Sequence, residues 1–475
     1  MGEAKRRGAF EQRRMEAIAR AKRQLVEKLG GSDPERDRDL QRAFDAFVGR
    51  LGADEWKRRR KGVIDQLTAS VQAVGAVPFV PLRVQQDEIA WYLLLAELAL
   101  EDPLSLEVSQ ASRALPFLAA IGMRLNFADR VLWLNERFDD ALTKYRADPD
   151  GTIFEVLVAL SYASSGWDVE LLPSSKTSKQ PDMRAVKDGL TLYIECKRLS
   201  RSSEYGEKER SHFLEMWNGV SDLLAKNSQW LWLRANFKVE ASALPKSFLK
   251  DLVSRSLPVP NAETNIYDGP EATIDIRHID KKAVARHMEQ YRVKMNSPAM
   301  TALLGGDWAP LDSAVSIATL VKISHVVDSP IEFLAQYVDE IGWASGITRH
   351  FTSPRSIAGK ARDIRKRLAD AVQQLPPDEL SVVHIAYETM DGPDVEDLRF
   401  QRIAATLNKF VADKPLAGVR VHMLQAHQTI DQLWDIEESV AGWDRNPTLL
   451  KDIPAQVVVD PEAVLKAGRH WDAMR

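Results

Sequence analysis

The segment that most constrains the fold of this chain runs from residue 178 to residue 200, SKQPDMRAVKDGLTLYIECKRLS. Asp182, preceded by a proline, leads into a short strand-like stretch, a Lys-Asp-Gly turn and an apolar run that ends in Glu195-Cys196-Lys197. Because side chains alternate between the two faces of a strand, Glu195 and Lys197 share one face and Cys196 lies on the other. The pattern predicts a β-hairpin that brings two carboxylates and one amine to the ends of two adjacent strands.

A third acid, Glu155, lies upstream in the otherwise apolar segment TIFEVLVAL, residues 152–160, which predicts a buried helix. A buried carboxylate without a partner is costly or takes up a proton, so something must compensate it. A metal ion or an oriented water would do so, and a partly exposed helix end or a local ion pair is the alternative. Acids and an amine at one point suit metal-dependent phosphodiester hydrolysis, because the acids hold Mg²⁺ and the amine positions or activates the attacking water.

Each of these residues also has a simpler interpretation. Asp182 is consistent with a turn, since Pro-Asp is a common turn dipeptide, and Glu195 with Lys197 is consistent with an exposed pair at a strand end. The run before them, Leu190 to Ile194, is apolar enough for a central strand, whose carboxyl end is a common place for an active site. Cys196 is interpreted as a packing residue rather than a nucleophile.

The order of these features resembles the motif of the PD-(D/E)XK nuclease superfamily. A helix glutamate, Glu155, is followed by a strand after a glycine turn, 166–172, then by Asp182 and by the strand that ends in residues 195–197. The resemblance covers about Asp150 to Arg198. Other Glu-x-Lys and Pro-Asp fragments of the chain lack this context.

The resemblance implies an α/β, restriction-endonuclease-like fold in which a central mixed sheet is flanked by helices. It implies that Asp182 and Glu195 bind Mg²⁺, with Mn²⁺ as a substitute, and that the main-chain carbonyl of Cys196 adds a ligand. Glu155 would complete the metal shell directly or through water, and Lys197 would position or activate the water.

The activity implied by the resemblance is that of a metal-dependent nuclease, with DNA favoured over RNA as the substrate. Restriction, repair and defence are settings that a likeness of fold cannot separate. The alternative is a non-catalytic module that keeps the fold and binds nucleic acid or a protein.

Two basic segments are candidates for contact with nucleic acid or with a protein partner. Residues 1–30 hold nine Lys or Arg against four Glu and predict a charged helix: a nucleic-acid arm, a contact to a protein partner or a second copy, or a charged tail. A second predicted helix, 356–374, either contacts backbone phosphates or presents a solvated face. Its basic residues, with the one just before it, are Arg355, Lys360, Arg362, Arg365, Lys366 and Arg367.

Composition excludes several classes of protein. The chain has 475 residues and a net charge of −4, so it is long enough for two or three domains and has no global basic bias. Its single cysteine excludes an internal disulfide framework, and with no signal-like N-terminus we expect a cytoplasmic protein. The most apolar stretch, 89–100, is too short for a membrane span. No Walker-type loop is present, and His325, His384 and His422 are expected to be structural.

The predicted elements divide the chain into three parts. These are a mostly helical N-terminal region, 1–148, a nuclease-like domain, 149–430, with an insertion at about 241–350, and a C-terminal tail, 431–475. Strands are expected at 229–237, 273–277, 315–323, 381–387 and 419–424, and helices at 281–294, 331–341, 356–374 and 397–411.

Overall fold

The computed structural model describes residues 33–73, 84, 86–173, 180–199, 203–295, 297–306, 315–325, 331, 334–427, 434–445, 452–460 and 468–474. Within these residues the chain is an α/β protein with two mixed sheets and flanking helices. None of the described helices is both long enough and apolar enough to cross a membrane. The basic segment 1–30 lies outside the described residues.

The helices alternate with the strands from residue 150 onward, whereas the region before it is almost wholly helical. In chain order the α-helices are α1 Pro34–Leu51, α2 Ala53–Ala73, α3 Glu88–Glu101, α4 Val108–Arg124, α5 Leu134–Leu142, α6 Asp150–Ser164, α7 Glu204–Lys226, α8 Phe248–Ser256, α9 Lys281–Gln290, α10 Pro298–Leu303, α11 Pro354–Lys360, α12 Arg365–Gln374 and α13 Pro393–Lys409. Short 3-10 helices lie at Pro103–Ser105, Leu125–Arg130, Ala241–Ala243 and His470–Met474.

The strands vary in length from two residues to 16. They are β1 Val131–Leu132, β2 Asp168–Leu171, β3 Met183–Lys187, β4 Leu190–Arg198, β5 Leu231–Phe237, β6 Thr264–Asp268, β7 Ala272–His278, β8 Val293–Lys294, β9 Val315–His325, β10 Gln336–Phe351, β11 Ser381–Glu388, β12 Leu416–His427 and β13 Asp435–Asp444. The longest, β10, pairs with β9 through two register shifts.

The first sheet has the strand order β1-β2-β3-β4-β11-β12-β13. Strand β4, which carries Glu195, lies in the middle, antiparallel to β3 and parallel to β11. The expected hairpin of β3 and β4 and the expected strands at 381–387 and 419–424 are therefore confirmed, and the latter two continue the sheet beside β4. Since β4, β11 and β12 run parallel, their carboxyl ends meet at one edge of the sheet.

The N-terminal helices share one apolar core with the first sheet. Buried residues of α1 to α6 pack with those of β2, β3 and β4 in a continuous cluster. Helix α1 crosses α4 very closely: a Cβ on Gly122 would lie 1.7 Å from the Asp39 carbonyl oxygen, so only glycine fits there. The described part of the N-terminal region is mainly helical, and it packs on the first sheet.

The second sheet has the order β6-β7-β5-β10-β8, with β9 paired to β10. It draws on residues 231–351, so it starts ahead of the insertion predicted at about 241–350. The strand predicted at 229–237 is β5, and it pairs with β7 and β10 in this second sheet rather than with the strands around β4. The strands expected at 273–277 and 315–323 are confirmed as β7 and β9.

Three predicted helices differ from those observed. The helix expected at 331–341 is wrong, because residues 336–351 form strand β10, whose first part pairs with β9 and β8. Long-range pairing on both sides overrides the local helical preference there. The helix expected at 281–294 ends at Gln290, and the helix expected at 356–374 is broken at 361–364 into α11 and α12.

The segment expected to be a C-terminal tail, 431–475, contributes to the first sheet and its core. Residues 435–444 form β13, antiparallel to β12 at the edge of the sheet. Trp471 is fully buried, and its Nε1 donates to Asp397 Oδ1 of α13 at 2.8 Å. The prediction of a peripheral tail is therefore wrong for both of these stretches. Their own residues do not indicate the distant strand or helix against which they pack.

Candidate active site

Asp182 is held in place by its own backbone and by a neighbouring strand. Its amide donates to the Ile194 carbonyl at 3.1 Å, and its carbonyl accepts from the Leu172 amide at 2.9 Å. Its side-chain Oδ2 accepts from the Cys196 amide at 2.7 Å. The Asp182 carboxylate is thereby fixed beside the peptide that joins Glu195 to Cys196.

The turn between β3 and β4 sets this register. Asp188 and Gly189 both have positive φ, 51° and 79°, as the two central residues of a tight hairpin turn require. Lys187 then faces Leu190, and Met183 faces Ile194. A slip of one residue would turn Glu195 to the other face of the sheet, so the turn determines which side chains meet Asp182.

Glu195 is fully buried, and its two carboxylate oxygens differ in their surroundings. Oε1 accepts from Lys197 Nζ, two residues along the same face of β4. Oε2 is also buried, yet it has no hydrogen-bond donor within the described part of the chain. Without a cation the Glu195 carboxyl holds a proton and shares a side-chain hydrogen bond with Asp182, so Oε2 is the atom at which a metal ion would replace that proton.

Glu155, on α6, is joined to the site by an arginine that the sequence analysis missed. Arg137 Nη1 donates to Glu155 Oε2 at 2.5 Å, and Arg137 Nη2 donates to the Leu172 carbonyl at 2.7 Å. The Arg137 side chain is only 7% exposed. The local ion pair that the sequence left open for Glu155 is thus present. No sequence motif identifies Arg137, which lies on α5 among acidic neighbours. The one available signal was that a buried Glu155 requires a nearby cation.

The Asp182 charge raises the pKa values of Glu155 and Glu195, whereas a side-chain hydrogen bond with Glu195 lowers the pKa of Asp182. Burial, with the Asp182 charge as the next cause, raises the pKa of Glu195 to about 9 and that of Glu155 to about 8. Burial also raises the pKa of Asp182, against the hydrogen bond from the Cys196 amide. Burial acts to lower the pKa of Lys197, but the Glu195 and Asp182 carboxylates raise it above its ordinary value. Arg137 and Lys197 therefore do not supply enough positive charge to keep all three acids ionised.

Cys196 lies on the opposite face of β4, as strand alternation predicts. It is buried in the core that β4 shares with α6, and burial raises the pKa of its thiol well above the ordinary range. A thiol in this state is a poor nucleophile.

The donor chemistry of the site fits Mg²⁺. Among the residues that the structure describes, no group of three or more His, Cys, Asp or Glu side chains is gathered as a metal-binding cluster. Mg²⁺ commonly needs only one or two protein carboxylates, since water and substrate phosphate complete its octahedron. The Oε2 atom of Glu195 and the Asp182 carboxylate are hard oxygen donors of this type, and a cation would lower the raised pKa values of the acids.

Comparison of the chain with models of protein families, with curated proteins and with solved structures finds no match.

Proposed function

We propose that the protein is a metal-dependent nuclease with a restriction-endonuclease-like fold. The observation that carries the proposal is the buried Glu195 Oε2, which lacks a donor in the described chain and lies beside two further acids and a lysine. The order of helix glutamate, Asp182 and Glu195-Cys196-Lys197 supports it, as does their arrangement on α6, directly before β3 and on the central strand β4.

Asp182 and Glu195 would hold Mg²⁺, or Mn²⁺ in its place, with the Cys196 carbonyl as a further ligand and Glu155 acting through water. Mg²⁺ bound there supplies a Lewis acid at the phosphate and acidifies water. The hydrogen bond from the Cys196 amide to Asp182 Oδ2 orients the Asp182 carboxylate beside Glu195, with which it shares a side-chain hydrogen bond. This donor set follows the resemblance, and its fit depends on the hard oxygen atoms of the two acids.

Lys197 and Glu155 have different roles in this proposal. Since the Lys197 pKa is raised, its side chain stays an ammonium at neutral pH, so it holds the attacking water and offsets negative charge on the phosphate oxygens instead of accepting a proton. Glu155, oriented by Arg137 and with a pKa of about 8, exchanges a proton with water near neutral pH. DNA is the proposed substrate, through the resemblance alone.

A second candidate is a module that keeps the fold and binds nucleic acid or protein without cutting. The observation in its favour is the ion pair of Lys197 with Glu195, which partly neutralises the site without any metal. The gathering of Glu155, Asp182 and Glu195 argues against it, because a purely structural site gains nothing from burying three acids whose pKa values are all raised by that burial.

Cleavage assays decide between the two. Purified protein is incubated with plasmid, linear duplex DNA, single-stranded DNA and RNA, in Mg²⁺, Mn²⁺, Ca²⁺ or EDTA. We expect cleavage in Mg²⁺ and Mn²⁺, little in Ca²⁺, whose looser shell positions water less well, and none in EDTA. Full activity in EDTA would exclude the metal site.

A pair of aspartate variants makes the test specific. Asp182→Ala should abolish cleavage and weaken metal affinity. The control, Asp168→Ala, removes an exposed aspartate of strand β2 that pairs with Arg130, and it should change neither cleavage nor metal affinity. If the wild type binds DNA and cuts no substrate in any metal, the binding module is correct.

A further inference from the structure

Strand β9 is an edge strand of the second sheet. Among the described strands it pairs with β10 alone, antiparallel along its whole length. The two register shifts add Asp339 and Gly342 to β10, so β9 itself is uninterrupted over its 11 residues. An edge strand offers a row of main-chain N–H and C=O groups on its outer side, and a long, regular one is suited to pairing with a further strand.

The composition of β9 does not protect this edge. Natural edge strands are often short, or carry proline or several charges that prevent pairing. The sequence of β9, VSIATLVKISH, has no proline and no acid, and Lys322 is its one Lys or Arg. Every residue from 315 to 324 remains at least partly exposed, and Leu320 is 68% exposed. An apolar edge of this kind indicates a surface that another strand covers.

The sequence of β9 is nearly symmetric about Leu320. Ile317 and Ile323 lie three residues to either side of Leu320, and Ser316 and Ser324 lie four residues to either side. A strand that reads almost alike in both directions is suited to an antiparallel partner with the same sequence. The symmetry therefore identifies a second copy of this chain as the occupant of the edge.

The symmetry corresponds to one particular register. A two-fold axis perpendicular to the sheet at Leu320 sets each residue opposite the one that lies equally far on the other side of Leu320. Leu320 then faces Leu320 of the second copy, and Lys322 faces Ala318, so no two charges of like sign are opposed. A register centred on Lys322 would instead oppose two lysines.

The two faces of β9 agree with this arrangement. Ile317 and Val321 lie on one face and pack against the apolar core of the second sheet, which fixes the strand and its free edge. Ile323 lies on the same face but is exposed. In the register centred on Leu320, Ile317 of the second copy lies opposite Ile323 and covers it.

We propose that the protein forms a two-fold symmetric dimer in which β9 pairs antiparallel with β9 of a second copy, centred on Leu320. The second sheets of the two copies then form one continuous sheet. This contact is separate from the basic segment 1–30, and it does not depend on the proposed nuclease activity.

Cysteine cross-linking of the full chain tests the register. Leu320→Cys places two thiols opposite each other at the axis, where directly opposed Cα atoms are about 4.5–5.5 Å apart and a disulfide can form. The native Cys196 is buried, so the introduced thiol is the one that reacts. Air oxidation should link Leu320→Cys into disulfide-bonded dimers at least about tenfold faster than the remote control Val411→Cys, whose side chain is 84% exposed.

A second cysteine variant on the same strand is a matched control. Lys322→Cys lies opposite residue 318 of the second copy, so its two thiols are separated by four residues, roughly 13 Å, along the strand. It should therefore cross-link no faster than Val411→Cys.

Sedimentation velocity measures the strength of the contact. Leu320→Lys opposes two ammonium groups at the axis and should raise the dimer dissociation constant at least about tenfold over a protein range of about 1–100 µM. Val411→Lys introduces the same charge at a remote exposed site and should leave the dissociation constant unchanged. Far-UV circular dichroism of both variants should match the wild type, because both positions are exposed.

The outcomes separate this dimer from other assemblies. A wild type that stays monomeric throughout the range overturns the proposal. A dimer that Leu320→Lys leaves intact also overturns it, since the copies then meet through another surface. Cross-linking of Lys322→Cys as fast as that of Leu320→Cys would show that the register is wrong. Selective cross-linking of Leu320→Cys, with weaker association of Leu320→Lys, supports the β9 dimer whether or not the protein cleaves DNA.

Discussion

Two buried polar clusters lie on opposite faces of the central strands, and they differ in how fully their carboxylate oxygens are hydrogen-bonded. One is the candidate active site on the Glu195 face. The other, the histidine chain, links Tyr162, His384, His422 and Glu438 on the Cys196 face, since His384 lies opposite Cys196 in the register. Its bonds run from Tyr162 Oη to His384 Nε2 at 3.1 Å, from His384 Nδ1 to His422 Nε2 at 2.9 Å and from His422 Nδ1 to Glu438 Oε1 at 2.7 Å.

The two buried glutamates differ in how well their oxygens are satisfied. Glu438 accepts from His422 and from the amides of residues 457–459 at 2.8 to 3.1 Å. Burial alone would raise the Glu438 pKa, but these hydrogen bonds lower it. Glu195 is equally buried, has one oxygen without a donor in the described chain, and has its pKa raised to about 9.

The contrast separates structural from functional burial. The histidine chain is complete within the protein, so it holds β11, β12 and β13 to α6 and needs no ligand, which agrees with the expectation that His384 and His422 are structural. The site on the other face is incomplete, and a missing partner is what a binding site has before its ligand arrives.

The largest expected effect lies in the histidine chain. Glu438→Ala leaves three amides and His422 without an acceptor, so it should lower the free energy of unfolding by about 3–5 kcal/mol. Glu438→Gln, which keeps the shape and one acceptor oxygen, should lose less. Urea unfolding followed by circular dichroism measures both, and a loss under about 1 kcal/mol for the alanine variant would show that the chain is not structural.

The next effect concerns the other face and should appear in activity instead of stability. Lys197→Ala should lower the cleavage rate by roughly two to three orders of magnitude, because a fixed positive charge is lost from the site. Metal should still bind, since the acids remain. The matched variant Lys187→Ala, on the adjacent strand β3, should cleave DNA at the wild-type rate. Calorimetric titration measures metal affinity, and a plasmid assay measures the cleavage rate. Equal rates for all three proteins would remove Lys197 from the mechanism.

The pH dependence of stability should depend on the histidine chain. Burial lowers the His384 pKa well below its ordinary value of 6.5, so the unfolded state binds more protons once the pH falls below that value. Stability is therefore fully present above pH 6.5 and is lost as the pH falls, at about 1.4 kcal/mol per pH unit. His384→Gln should flatten this decline, whereas His350→Gln, an exposed control on β10, should not. A wild type equally stable from pH 7 to about 5 contradicts the prediction.

The smallest expected effect has the opposite sign. Burial raises the Glu195 pKa to about 9, so folding at neutral pH requires this carboxyl to take up a proton; Glu195→Gln removes that cost, and the free energy of unfolding without metal should stay constant or rise by about 1 kcal/mol. Metal affinity and cleavage should fall at the same time. A marked loss of stability in EDTA would show that Glu195 stabilises the fold, as Glu438 does, and the proposed difference between the two glutamates would be wrong.

Local sequence was enough to predict the core of the candidate site. The Lys-Asp-Gly turn, the alternation along β4 and the apolar helix around Glu155 depend on residues close together in the chain, so they could be predicted without a structure. The same alternation placed Cys196 in the core, and the mixed α/β class followed from the succession of elements. The identity of the fold family and of the activity remains a prediction.

Other features depended on partners distant in the chain. Arg137 meets Glu155 only because α5 packs against the first sheet, and β5 belongs to the second sheet only because β7 and β10 take its backbone hydrogen bonds. Strand β10 and the break at 361–364 likewise override local helical preference. The sequence by itself determined which side chains share a face, because that depends on backbone periodicity; the tertiary structure decided which charges are compensated, because burial and long-range contacts are not encoded in any short segment.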